Sequence, residues 1–167
     1  GCPPVEIHIE MARELAKNFD DRRKMTKSME ENQSKNERIK ERLKIDFGIA
    51  YPNGQDIVKL KLYEEQNETC AYSQKHIDAH RLFHDSNYAE VDHIIPYSRS
   101  FDDSYSNKVL VLTAENRQKG NRTPMEYLGS DKGRKQQFIA WVKSDIKQPR
   151  KRENLLREKF TADMEKD

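Results

Sequence analysis

The sequence predicts an α+β fold, mostly helical, built on a strand, a loop, a second strand and a helix in the middle of the chain. Three observations lead there. Tyr88–Ile95 reads as a strand, stopped by Pro96. After the polar, turn-rich stretch Tyr97–Ser106, Asn107–Leu112 reads as a second strand. Thr113 is then a natural N-cap for a helix through Glu115, Asn116 and Arg117.

The other elements follow in order. Val5-Glu6-Ile7-His8-Ile9-Glu10 alternates apolar and polar at period two, as a half-buried strand does, and runs into Met11–Ala16, which reads as helix. Asp20–Lys44 is dense in charge of both signs, and only Met25 and Met29 are apolar between Asp20 and Arg38. That is too little for a buried face, so an exposed helix or flexible connector is expected. Gly48, Pro52, Asn53 and Gly54 punctuate the next stretch and place a domain boundary there. Asp56 is the candidate cap of a helix over Ile57–Gln66, where Ile57, Val58, Leu60 and Leu62 recur at helical spacing. Asn67–Ser73 is turn-like. Beyond the central unit, helices are expected around Met125–Leu128, over Lys135–Lys143 and over Lys151–Met164.

Composition limits the classes of function. A length of 167 residues suits one domain. With 34% hydrophobic and 36% charged residues the chain is poor in core material, so a compact unit plus a solvated helix or linker is expected. No apolar run approaches the roughly 18 residues that span a bilayer, and no h-region marks a signal peptide. Cys2 and Cys70 lie far apart and read as free thiols of a reducing compartment. The net charge of +2 is uninformative, but Arg117–Arg152 holds eleven Lys/Arg against three acidic residues. That excess suits a phosphate-facing surface, or a solvated basic face with no partner.

Asp92-His93, at the end of the first strand, carries the chemistry. A carboxylate is a hard oxygen ligand suited to Mg²⁺, and a neutral imidazole accepts a proton from water. Adjacent strand residues point to opposite faces, so both reach one phosphate only at a strand end or a bend near Pro96. Asn107 follows fourteen residues after His93, and Asn116 nine further on. Asn116 can offer a carbonyl oxygen to the same metal, and Asn107 can brace the loop and orient His93. Lys119, one helical turn past Asn116, is expected to face a phosphate oxygen. His76, His80 and His84 with Cys70 suggest zinc, but Cys70-x-x-Ser73 lacks a second thiol, so they read as histidines of an exposed helix. Tyr72, Tyr97 and Tyr105 could stack on bases, but packing is the better reading, and Trp141 reads as core.

Val91-Asp92-His93-Ile94-Ile95-Pro96, Asn107-Lys108-Val109-Leu110 and Glu115-Asn116-Arg117-Gln118-Lys119-Gly120-Asn121 together resemble the HNH, or ββα-metal, nuclease motif. The match is to the version found in CRISPR type II RNA-guided DNA endonucleases. The resemblance implies a core of a two-stranded antiparallel sheet plus a helix, surrounded by additional helices. It implies His93 as general base, Asp92 and Asn116 as metal ligands and Asn107 as a supporting residue, with Asn in place of the motif's last His. Ile7–Glu14 resembles the segment that precedes the HNH insertion in those effectors, where Glu10 would be a metal ligand of the separate RuvC-like site. Its partner carboxylates are not in this chain, so Glu10 is expected to be inactive here. The implied layout is a RuvC-like piece (1–19, strand then helix), a linker (20–55), the HNH domain (56–148) and a C-terminal linker helix (149–167). The implied activity is hydrolysis of the target DNA strand paired to guide RNA, with Mg²⁺ as cofactor and Mn²⁺ substituting. The implied partners are that strand and the rest of the effector protein, in the bacterial cytoplasm without a membrane, with the isolated piece monomeric. Two rivals remain open: a nucleic-acid-binding module that does not cut, and a free-standing homing or restriction HNH nuclease. The Asp92-His93…Asn116 set argues against the first, and the Ile9–Glu14 segment against the second.

Overall fold

In the computed structural model, which describes residues 6–159 and the side chains from Asn18 onward, the chain opens with helix α1, Glu6–Phe47. The strand expected over Val5–Glu10 is therefore helix from Glu6, and Val5 lies outside the described residues. A strand needs a neighbour for its N–H and C=O groups, whereas a helix satisfies them internally. The described sheet has two strands, and this segment is not among them. From Asn18 to Lys35 α1 is exposed, with Phe19, Met25 and Met29 facing solvent. Its last turns are not. Leu43 is fully buried, and Ile39 and Phe47, four residues to either side, pack on the core. Phe47 lies 4.8 Å from Phe83. Gly48, at φ +67°, then stops the helix. The expected free connector is thus anchored at its C-terminal end by an i, i+4, i+8 stripe that the surrounding charge obscures.

Helix α2, Gly54–Glu65, begins in a capping box. Asn53 Oδ1 accepts from Gln55 N–H (2.7 Å) and Asp56 N–H (3.1 Å), and Asp56 Oδ2 accepts from Asn53 N–H (2.9 Å). The cap is therefore Asn53, not Asp56, because the reciprocal pair satisfies orphan donors on both sides of the helix start. Just past α2, buried Gln66 acts as a short piece of strand. Its Oε1 accepts from Leu110 N–H (2.7 Å), and its Nε2 donates to Leu110 O (2.8 Å) and Thr69 O (2.9 Å). After the turns at 67–73 comes α3, Ala79–His84, capped by Asp78.

Strands β1, Ala89–His93, and β2, Lys108–Leu112, pair antiparallel with Asp92 opposite Val109 and His93 opposite Lys108. The expected loop between them contains α4, Tyr97–Ser100, and a 3₁₀ turn, Tyr105–Asn107. Helix α5, Thr113–Lys119, starts directly from β2. Thr113 is thus its first helical residue, not its cap, and its buried Oγ1 has no hydrogen-bond partner. Three helices complete the shell: α6, Pro124–Leu128; α7, Lys132–Asp145; and α8, Pro149–Leu156. The segment assigned to a C-terminal linker begins with α8, which packs into the core through Leu155. Lys151 Nζ, also buried, lies 2.6 Å from Glu65 Oε2. Residues 160–167, with the rest of the helix expected to Met164, lie outside the described residues. The mostly helical chain around a two-stranded antiparallel sheet is the class the sequence predicts.

Candidate active site

Strand alternation sets the site. Glu90 and Asp92 share one face of β1, and Val91 and His93 share the other. The first face meets α5. Asn116 Nδ2 donates to Glu90 Oε1 (2.9 Å), and Lys119 Nζ lies 2.9 Å from Asp92 Oδ2. Asn116 and Lys119, three apart, are on the same side of α5. Lys119 also donates to the carbonyl of His93 (2.9 Å), so one ammonium ties both halves of the Asp92-His93 pair. With 1% exposure Lys119 points into the protein, where the sequence reading has it turned outward toward a phosphate oxygen. Its helical face is covered by β1, and its charge is compensated there by a buried carboxylate.

Asp92 is 9% exposed and also accepts a hydrogen bond on Oδ2 from Tyr72 Oη (2.7 Å). Burial, then the neighbouring Asp92 carboxylate, hold the Tyr72 hydroxyl well above the ordinary tyrosine range. Tyr72, for which packing is the preferred reading from the sequence, therefore touches a predicted metal ligand. No local signal exposes this, because twenty positions separate the two residues.

On the other face, His93 Nε2 lies 2.8 Å from Asp103 Oδ1, and Lys108 Nζ lies 2.9 Å from the same oxygen. Lys108 first, then His93, hold the Asp103 carboxyl below the ordinary carboxylate range. A carboxylate accepts, so it selects the imidazole tautomer with its proton on Nε2 and the lone pair on Nδ1. Asp103 was not foreseen, since its place depends on the path of the loop. The Tyr97 ring lies 5.6 Å from that of His93 and the Phe101 ring 5.9 Å from that of Tyr97, and both Tyr97 and Phe101 are exposed. An open cavity of about 1060 Å³ lies beside His93, bordered by Asn53, Lys59, Val91, Asp103 and Lys108.

Asn107 is fully buried. Its Oδ1 accepts from Ile95 N–H, and its Nδ2 donates to the carbonyls of Ile95 and Asp102, each at 2.9 Å. It thus fastens both ends of the turn that follows His93. The described part of α1 includes the backbone of Glu10, whose side chain lies outside the described residues. The basic stretch is thinner as a surface than as a sequence: Lys119 and Lys151 are buried, and Arg134 pairs with Glu115 at 2.7 Å.

A divalent cation can be tested against these donors. Among the described residues no three of His, Cys, Asp and Glu gather as ligands, the three histidines near Cys70 included. On the β1–α5 side the donors are all oxygen: the carboxylates of Asp92 and Glu90 and the amide carbonyl of Asn116, whose Nδ2 is already engaged. Hard oxygens in small number suit Mg²⁺, which keeps several waters and takes its remaining ligands from substrate phosphate. The donor set fits.

Residues 70–125 match the HNH endonuclease family. Cas9 of Campylobacter jejuni is 49% identical over 92 residues, which cover 55% of this chain and 9% of that protein. Cas9 1 of Streptococcus thermophilus is 39% identical over 134 residues, covering 74% and 12%. The structure of Streptococcus thermophilus Cas9 in complex with the GGAA PAM has a TM-score of 0.67 and 34% identity, covering 84% of this chain and 15% of that one. The type II-C Cas9 from Actinomyces naeslundii, at 20% identity and a TM-score of 0.63, shares the fold. The chain spans about a tenth of the length of the curated relatives it matches.

Proposed function

Because this chain carries an HNH endonuclease domain like that of the Cas9 endonucleases, we propose that it hydrolyses the DNA strand paired to the guide RNA, using a divalent metal. The observation that carries this reading is the junction of β1 and α5. There an imidazole fixed by a carboxylate stands at a strand end, and the adjoining face carries the oxygen ligands of Asp92, Glu90 and Asn116. A module that merely grips nucleic acid has no use for either.

Asp92 and Asn116 would hold Mg²⁺, or Mn²⁺ in its place, which when bound neutralises charge on the scissile phosphate and on the leaving 3′ oxygen. The chain's own residues do the rest. Asp103 holds the Nε2 proton of His93, and Nδ1 takes the proton of the attacking water. Asn107 fixes the backbone that follows His93, so the imidazole keeps its aim. Lys119 acts from beneath, by holding Asp92 and the His93 carbonyl, and touches no phosphate. In this reading Glu10 serves a second site elsewhere in a longer bacterial effector, whose remaining parts bring guide and target.

Cleavage by the effector that carries this chain, titrated against Mg²⁺ and Mn²⁺, tests the metal. Asn116→Ala is expected to raise the concentration of metal needed, and Asn116→Asp, which adds a charge, to change the preference between the two ions. Unchanged metal dependence in both variants would remove Asn116 from the site, and cleavage in a chelator would remove the metal.

A further inference from the structure

Asp92 uses one of its two oxygens inside the protein. Tyr72 Oη donates to Oδ2 at 2.7 Å, and Lys119 Nζ lies 2.9 Å from the same atom. Oδ1 receives no hydrogen bond from any described residue and is not among the buried unpartnered atoms, so it reaches solvent. We propose that Tyr72 is a positioning residue for the metal: it pins Oδ2 of Asp92, so that Oδ1 alone is presented and the carboxylate binds the cation through one oxygen. This rests on the metal-dependent reading above.

The two donors are not equivalent. The Lys119 ammonium carries the same sign as the incoming cation, so its attraction to Asp92 weakens once a dication sits beside the carboxylate. The tyrosine hydroxyl is neutral and is not repelled. It is therefore the donor that keeps Oδ2 occupied while metal is bound. Its own place is fixed. Tyr72 is 2% exposed, its ring lies 6.1 Å from that of Tyr127 and 6.2 Å from that of Phe138, and the hydroxyl stays on the ring axis if the ring flips. The backbone on either side is tied as well, by Ala71 N–H to Leu110 O at 3.1 Å and Arg134 to Tyr72 O at 3.4 Å. Mg²⁺ demands near-octahedral geometry, which a carboxylate held to one free oxygen meets better than a freely rotating one. Partners of this kind set metal affinity by about 10–100-fold.

The test measures Mn²⁺ binding to the 167-residue chain by paramagnetic resonance, with folding followed by circular dichroism. Tyr72→Phe removes one oxygen and leaves the ring packing. It is expected to weaken Mn²⁺ binding by about 10–100-fold with the fold retained. Tyr105→Phe removes a hydroxyl bonded to Glu65 (2.8 Å), away from Asp92, and is expected to bind as the unsubstituted chain does. A Tyr72→Phe chain with unchanged Mn²⁺ affinity overturns the proposal. An unsubstituted chain that binds no Mn²⁺, or an Asp92→Ala chain that binds it equally well, overturns the metal reading itself. Should Tyr72→Phe unfold, proton resonance of the Tyr72 hydroxyl in the unsubstituted chain decides. The bond to Oδ2 is expected to persist when Mg²⁺ is added, and its loss contradicts the proposal.

Discussion

Four tyrosine hydroxyls, those of Tyr63, Tyr72, Tyr105 and Tyr127, sit where ionisation is costly. Burial first, with Glu68 next, pushes Tyr63 up to about 12 from an ordinary 10.0. Burial with Asp92 raises Tyr72, burial with Glu65 raises Tyr105, and burial with Glu115 raises Tyr127. In the unfolded chain these groups lose their protons near 10.0, while the folded chain retains them. Their contribution to stability is therefore complete below that pH, and it is lost as pH rises through 10 to 12 and beyond. Helical dichroism is expected to fall together with the rise of tyrosinate absorbance from the buried set; ionisation of that set with dichroism unchanged would contradict it. At the same scale, the site was unevenly legible. Asp92, His93, Asn107 and Asn116 stand out because their spacing is a sequence property. The inward turn of Lys119 does not, because sequence gives a helical position but not which side of the helix a strand will cover. Tyr72 and Asp103 become visible only when the fold sets them against Asp92 and His93.

The elements divide in the same way. The first strand was legible from its proline stop, the second as a short apolar run, and α5 as the helix that follows β2. The period-two pattern at the N-terminus misled, because alternation marks a strand only where a pairing partner exists. A two-stranded ribbon is marginal by itself; here Gln66 covers the backbone of Leu110 and α5 packs on both strands, neither of which alternation reveals. Asp20–Lys44 was read as an exposed helix or flexible connector, and the anchoring stripe of Ile39, Leu43 and Phe47 was missed among charges. The two parts of α1 should therefore differ in stability. Residues 18–35 bury nothing and open locally, whereas the turn around Leu43 opens only with the core. Hydrogen exchange is expected to be fast over 18–35 and slow at Leu43 and Val109–Val111. Uniform protection along α1, or fast exchange at Leu43, would contradict this division.

At the scale of the molecule, high charge and a small core are reconciled by pairing charge inside the protein. Lys119 with Asp92, Lys151 with Glu65 and Arg134 with Glu115 hold together elements far apart in sequence. The charge excess of the C-terminal half thus serves cohesion as well as any contact with phosphate. At the end of β1, Asn107 and Lys119 fix the backbone around His93, and Asp103 fixes its ring. A residue so held is suited to accept one proton in one direction. Under the proposed function, single-turnover cleavage resolved by strand, in a guide-directed protein containing this chain, tests His93 as the general base most directly. With His93→Ala, cutting of the guide-paired strand is expected to slow by about 10²–10⁴-fold while target binding is unchanged. A variant that binds target and cuts the paired strand near the unsubstituted rate would contradict it.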